Sequence, residues 1–303
     1  MQKQPFGNTG LSVTPMGFGS AEIGQDWVSQ EEATKVLHAV LDAGINVVDT
    51  AACYGQAEQR IGSAIAERRD EYVLVTKVGH QAEELGLEEW TPELLEASVE
   101  RSLSRMKTDH VDVVLMHSCE EETLDDQELL AALQACKQAG KTRSIGYSGD
   151  AMAAAKAVGM TLFDAIETSV NFTDQDAVDR YLPAAESAGL GVLAKRPIAN
   201  GCWRGPEAFE GFYSEYVQPY IERRDAMGLT PEAVGFDGDW AELALRFCLT
   251  QPGVHTAIVG STNADHIQQN VEIVEKGPLP NDVNDAIRKL WHEHNDGSWL
   301  GKT

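Results

Sequence analysis

Residues 29–50 read SQEEATKVLHAVLDAGINVVDT, an amphipathic helix running directly into a short β-branched strand. Ser29 and Glu32 have the spacing of a capping box, which fixes where the helix begins. Ala33, Val36, Leu37, Val40 and Leu41 recur at i, i+3, i+4, i+7 and i+8, so they share one helical face. Gly44 suits the left-handed position that closes such a helix. Ile45–Val48 follows as a strand, and Asp49 is the first polar residue after it.

The same alternation extends in both directions. Upstream, Phe6–Val13 reads as a hairpin turning at Asn8 to Gly10, and Pro15–Gly19 as a first buried strand. Downstream, strands are expected at Tyr72–Thr76, Val111–Met116, Thr142–Tyr147, Phe163–Ile166, Leu190–Ala194 and Thr256–Val259. Helical periods separate them. Thr91-Pro92 opens one with Leu95, Val99, Leu103 and Met106 inward, and Asp150 is expected to cap another over Ala151–Val158. Trp240–Leu249 is a further helix, and Asn263 caps the last, with Ile267, Val271 and Val274 inward.

Strands alternating with helices pair in parallel. An open dinucleotide-binding sheet would show GxGxxG after its first strand, and that fingerprint is absent. Eight units without a linker fit a closed (β/α)8 TIM barrel, one domain over residues 1–303. It would carry an N-terminal β-hairpin and a long loop, residues 198–238, after strand 7.

The bulk chemistry narrows the function. With 48 acids against 24 Lys plus Arg the net charge is −24, which disfavours nucleic acid and anionic membranes. No apolar run approaches the roughly 18 residues of a membrane span, and MQKQPFGNTG lacks a signal-peptide core, so a cytoplasmic protein is expected. Five scattered cysteines without CxxC or metal-ligand spacing read as reduced thiols, and no metal is expected.

In such a barrel, residues that follow strands converge at the C-terminal mouth. Those positions hold Asp49 and, five residues on, Tyr54; then Lys77, His117 and Ser148. A phenol of pKa about 10 is a weak acid at neutral pH. An ammonium about 4 Å away is expected to acidify it by roughly 3 units. Lys77 would then activate Tyr54, Asp49 would keep Lys77 charged, and His117 would orient a carbonyl.

Asp49-Thr50-Ala51-Ala52-Cys53-Tyr54-Gly55, Val75-Thr76-Lys77 and Leu115-Met116-His117 resemble the aldo-keto reductase superfamily, and the likeness runs from Gly17-Phe18-Gly19-Ser20 to Asn270. The resemblance implies a barrel with a nicotinamide cofactor across its mouth and direct hydride transfer between the cofactor and a small carbonyl or alcohol. It makes Tyr54 the general acid, tuned by Lys77 and Asp49, with His117 positioning the substrate. It places Ser20, Ser148, Glu167, Lys195, Arg196, Ser261, His266, Gln269 and Asn270 around the cofactor. Several depart from the common pattern. Gly149 stands for an Asn, Glu167 for a Gln and Lys195 for an aromatic; Gly260 and His266 stand where a Lys and an Arg often grip a 2′-phosphate. The expected cofactor is NADP(H), with NAD(H) or dual use the alternative. Trp27, Trp203 and Trp299 fall in the segments that shape the substrate pocket in the family. The competing class is a cofactor-binding regulatory subunit with little turnover.

Overall fold

The computed structural model describes residues 1–80, 84–209 and 212–302, without the side chains of residues 212 and 213. Eight parallel strands close into a barrel. They are β1 (Met16–Gly19), β2 (Val47–Asp49), β3 (Val73–Val78) and β4 (Val111–His117), followed by β5 (Thr142–Ser148), β6 (Ala165–Ser169), β7 (Gly191–Lys195) and β8 (Thr256–Gly260). Closure is made by β8, which pairs with β7 on one side and β1 on the other, Gly260 opposite Gly19.

The period of two along each strand sorts side chains into two cores. Val47, Val73, Val75, Val113, Leu115, Ala165, Leu193 and Ile258 fill the barrel, and Phe6, Leu11 and Val13 of the hairpin plug its base. Val48, Leu74, Val114, Met116, Ile145, Ile166 and Val192 alternate with them and pack outward on the helices. The inward row continues upward in the same parity to Asp49, Lys77, His117, Glu167 and Lys195. Polar chemistry is therefore the top layer of an otherwise apolar stack.

Local signals act as read. Ser29 and Glu32 complete the capping box of helix Gln30–Asp42, and Thr91 accepts from the Leu94 N–H at the start of Pro92–Met106. Asp150 does not cap: its side chain makes no bond to the helix Ala151–Val158 that follows it. It turns toward the mouth instead.

The segment expected as a long loop is mostly built. Helical turns Ala199–Arg204 and Glu232–Val234 flank a helix, Phe212–Ala226, and the helix capped by Asn263 is not the last: Asn281–His294 follows, with Val283, Ile287 and Trp291 buried on one face. Together with Trp240–Thr250 they enclose a second apolar cluster around Phe172, Val217, Tyr220, Phe247, Ile287 and Trp291. No helix among the described residues is long and apolar enough to cross a membrane.

Candidate active site

Asp49 and Lys77 lie on adjacent strands, and the ammonium donates to both carboxylate oxygens, at 2.6 and 2.7 Å, and to the Thr50 carbonyl at 3.1 Å. Lys77 is 1% exposed, so the pair is dry. Glu167 Oε2 stands 3.1 Å from the same nitrogen, making two carboxylates around one ammonium. Burial opposes the Lys77 charge, yet Asp49 and Glu167 hold its proton well above the ordinary range. Asp49 is pushed up to about 8, by burial first and then by Glu167, against the pull of Lys77.

Tyr54 is held by backbone contact rather than by its own side chain. Gly55 has φ +51°, and a Cβ there would lie 2.5 Å from the Gly24 carbonyl oxygen; a Cβ on Gly24 would lie 2.0 Å from that of Tyr54. Only two glycines allow these chains to meet, which explains the Tyr-Gly pair in the motif. Lys77 Nζ then sits 5.3 Å from the centre of the Tyr54 ring. Lys77 pulls the Tyr54 phenol toward ionisation, as expected, but it does not set the net direction. Burial outweighs the ammonium and pushes the phenol above its usual value.

His117 meets Tyr54 edge to face at 5.7 Å, and Cys53 Sγ lies 3.5 Å from its Nδ1. Burial, with the Lys77 charge and then His80, drives the imidazole well below its ordinary value, so it is neutral. His80 and Trp90 were not singled out from the sequence. The His80 ring lies 5.2 Å from His117 and 5.3 Å from Trp90, a small aromatic wall beside the site. Their signal was position: both lie in the connection after β3.

His117, Ser148 and Glu167 are register partners across β4, β5 and β6. Ser20 follows β1, and among the described residues its buried hydroxyl has no partner. The Gly149 departure has a steric cause, because a Cβ there would lie 2.3 Å from the Tyr147 hydroxyl, which donates to the Cys119 carbonyl.

Lys195 and Arg196 are brought to the mouth, but not as free cations. Lys195 pairs with Asp150 Oδ2 at 2.9 Å and Arg196 with the same oxygen at 3.7 Å. Asp150 also accepts from the Ser169 N–H and the Thr168 hydroxyl. Burial alone would raise its carboxyl; Lys195 and Arg196 hold it below the usual range. The Lys302 carbonyl accepts from Arg196 and from Ser169 Oγ, so residues 300–302 lie across this cluster.

Ser261 Oγ accepts from the Asn263 N–H and stands 3.4 Å from His266 Nδ1 in the turn after β8. Gln269 and Asn270 lie further along, in a surface cleft with Glu242 and Lys276. Trp203 stacks on Trp240 at 6.0 Å and Trp299 packs on Trp291 at 5.3 Å, both against the second apolar cluster. Trp27 is 72% exposed.

A family model described as "Aldo/keto reductase family" matches residues 15–292. The chain belongs to the aldo/keto reductase family. The family is one of NAD(P)H-dependent oxidoreductases, as the motif resemblance implied. Among solved structures, the aldo-keto reductase AKR11C1 of Bacillus halodurans in its holo form superposes with TM-score 0.80 at 28% identity, covering 96% of both chains. L-Galactose dehydrogenase of Arabidopsis thaliana is 27% identical over 90% of this chain and 88% of its own. A probable voltage-gated potassium channel subunit beta of the same plant is 27% identical over 92% and 93%.

Proposed function

We propose that this aldo/keto reductase reduces an aldehyde or ketone, small sugars included, to the alcohol, with Tyr54 as the proton donor. The observation that carries the reading is Tyr54 standing over a buried Lys77 that is itself fixed by Asp49. When bound, NAD(P)H supplies the hydride that becomes the new C–H bond. The carbonyl oxygen takes its proton from the Tyr54 hydroxyl.

Burial keeps Tyr54 protonated at neutral pH, so the donor is loaded before the substrate arrives. Lys77 acts on the other side of the transfer, by stabilising the phenolate left behind, since two opposite charges in a dry site attract strongly. Neutral His117 gives its N–H to the carbonyl oxygen and orients it. The buried Ser20 hydroxyl, without a partner among the described residues, fits a polar ligand at the mouth. Holding the cofactor falls to Ser20, Ser148 and Glu167 near the reacting end, to Lys195 and Arg196, and to Ser261, His266, Gln269 and Asn270 toward the far end. Trp27 contributes to the substrate side.

Sugar substrates are suggested by the name of the galactose-oxidising relative. The channel-subunit likeness keeps a cofactor-binding role as the second reading. An acid with its own buried ammonium has no use in a pure binder, which favours the enzyme. The test is nicotinamide absorbance over a panel of aldehydes, ketones and aldoses. Oxidation of NADH or NADPH with any of them is expected; tight cofactor binding with no turnover across the panel would favour the second reading.

A further inference from the structure

Gly260 ends β8 opposite Gly19 of β1, and Glu22 follows Gly19 by three residues. Its carboxyl carbon lies 3.7 Å from where a side chain at Gly260 would begin. Burial raises the proton affinity of this carboxyl, and the His266 charge pulls it back. Ser261, the residue after Gly260, stands 3.4 Å from His266 Nδ1, so Glu22 and His266 each border the turn after β8. From Gly260 to His266 that turn reads GSTNADH, with no Lys or Arg and with Asp265 as a second acid.

We propose that Glu22 makes this site select the dinucleotide with a free ribose 2′-hydroxyl, NADH, over the one carrying a 2′-phosphate. This rests on the reading above, which puts the adenosine end of the cofactor at Ser261 and His266. A ribose hydroxyl can donate to a carboxylate, an arrangement used generally to recognise NAD. A phosphate dianion has no proton to give and is repelled by the Glu22 carboxylate, and Gly260–His266 itself supplies a histidine but no Lys or Arg to offset that. The acidic surface of the chain adds to the same repulsion.

The test is a fluorescence titration of the purified protein with NADH and with NADPH, in wild type and Glu22→Gln, at low and high salt. Wild type is expected to bind NADH at least about tenfold more tightly. Glu22→Gln should narrow that gap by about threefold or more, chiefly by tightening NADPH. In wild type alone, rising salt should also narrow the gap, because it screens repulsion of the extra phosphate; this holds even if the variant folds poorly. Equal or tighter NADPH binding by wild type would overturn the inference and leave the reductase reading standing. A gap that is unmoved in folded Glu22→Gln, or that widens with salt, would overturn it too. Binding of neither dinucleotide would overturn the reductase reading itself, and this inference with it.

Discussion

Glu167 Oε2 lies 3.1 Å from Lys77 Nζ, although that ammonium already holds both oxygens of Asp49. The trio therefore carries one negative charge too many in a dry barrel, and the excess appears as an Asp49 carboxyl raised to about 8. An acid whose folded value lies above its ordinary value of about 4 keeps a proton in the folded state that the unfolded chain has released. Its contribution is then lost as pH rises between those values. Stability by denaturant titration should fall from pH 5 to pH 8. Glu167→Gln, which removes the second cause of the shift, should flatten that fall by about 1–3 kcal/mol. A parallel pH dependence in the two proteins would contradict the account.

His117 bears on activity in the same range. Burial, the Lys77 charge and then His80 keep its imidazole neutral. The pH profile of kcat/KM for carbonyl reduction should therefore show no inflection near the usual histidine pKa of about 6.5. An inflection there that disappears in His117→Asn would mean that the histidine works as an acid instead.

Asp150 is buried and pairs with both Lys195 and Arg196, whose side chains are only 13% and 11% exposed. Removing one partner of a buried ion pair leaves charge without water or counter-ion, at a cost of about 3–5 kcal/mol. Asp150→Asn should lose stability on that scale in urea unfolding. A loss near zero would show that water reaches the cluster.

The tryptophans separate packing from contact. Trp203 is wedged on Trp240 and Phe172, so Trp203→Ala should cost about 2–4 kcal/mol of stability. Exposed Trp27 packs on little, and Trp27→Ala should leave stability within about 0.5 kcal/mol. It should raise KM for the carbonyl. Unchanged KM would remove Trp27 from the pocket.

What the sequence made legible was set by periodicity. The capping box at Ser29, the i, i+3, i+4 faces and the β-branched runs are local signals, and the barrel follows from their count. The inward parity of Asp49, Lys77 and His117 was equally readable, because each follows its strand's apolar row by two residues. Three things depended on contacts between distant segments and were hidden. Asp150 sits where a helix cap belongs, and only Lys195 and Arg196, more than 40 residues later, reveal its use. Glu22 acquires meaning only because β8 closes on β1. The Tyr54 proton affinity turns on burial, which a Coulomb estimate from neighbouring residue types leaves out.

The most direct test of the central claim is Tyr54→Phe. Nicotinamide affinity should be little changed while carbonyl turnover falls by about 100- to 10,000-fold, the usual worth of a general acid. Turnover equal to wild type in that variant would contradict the account, since the phenylalanine ring keeps the contact over Lys77 and lacks only the proton.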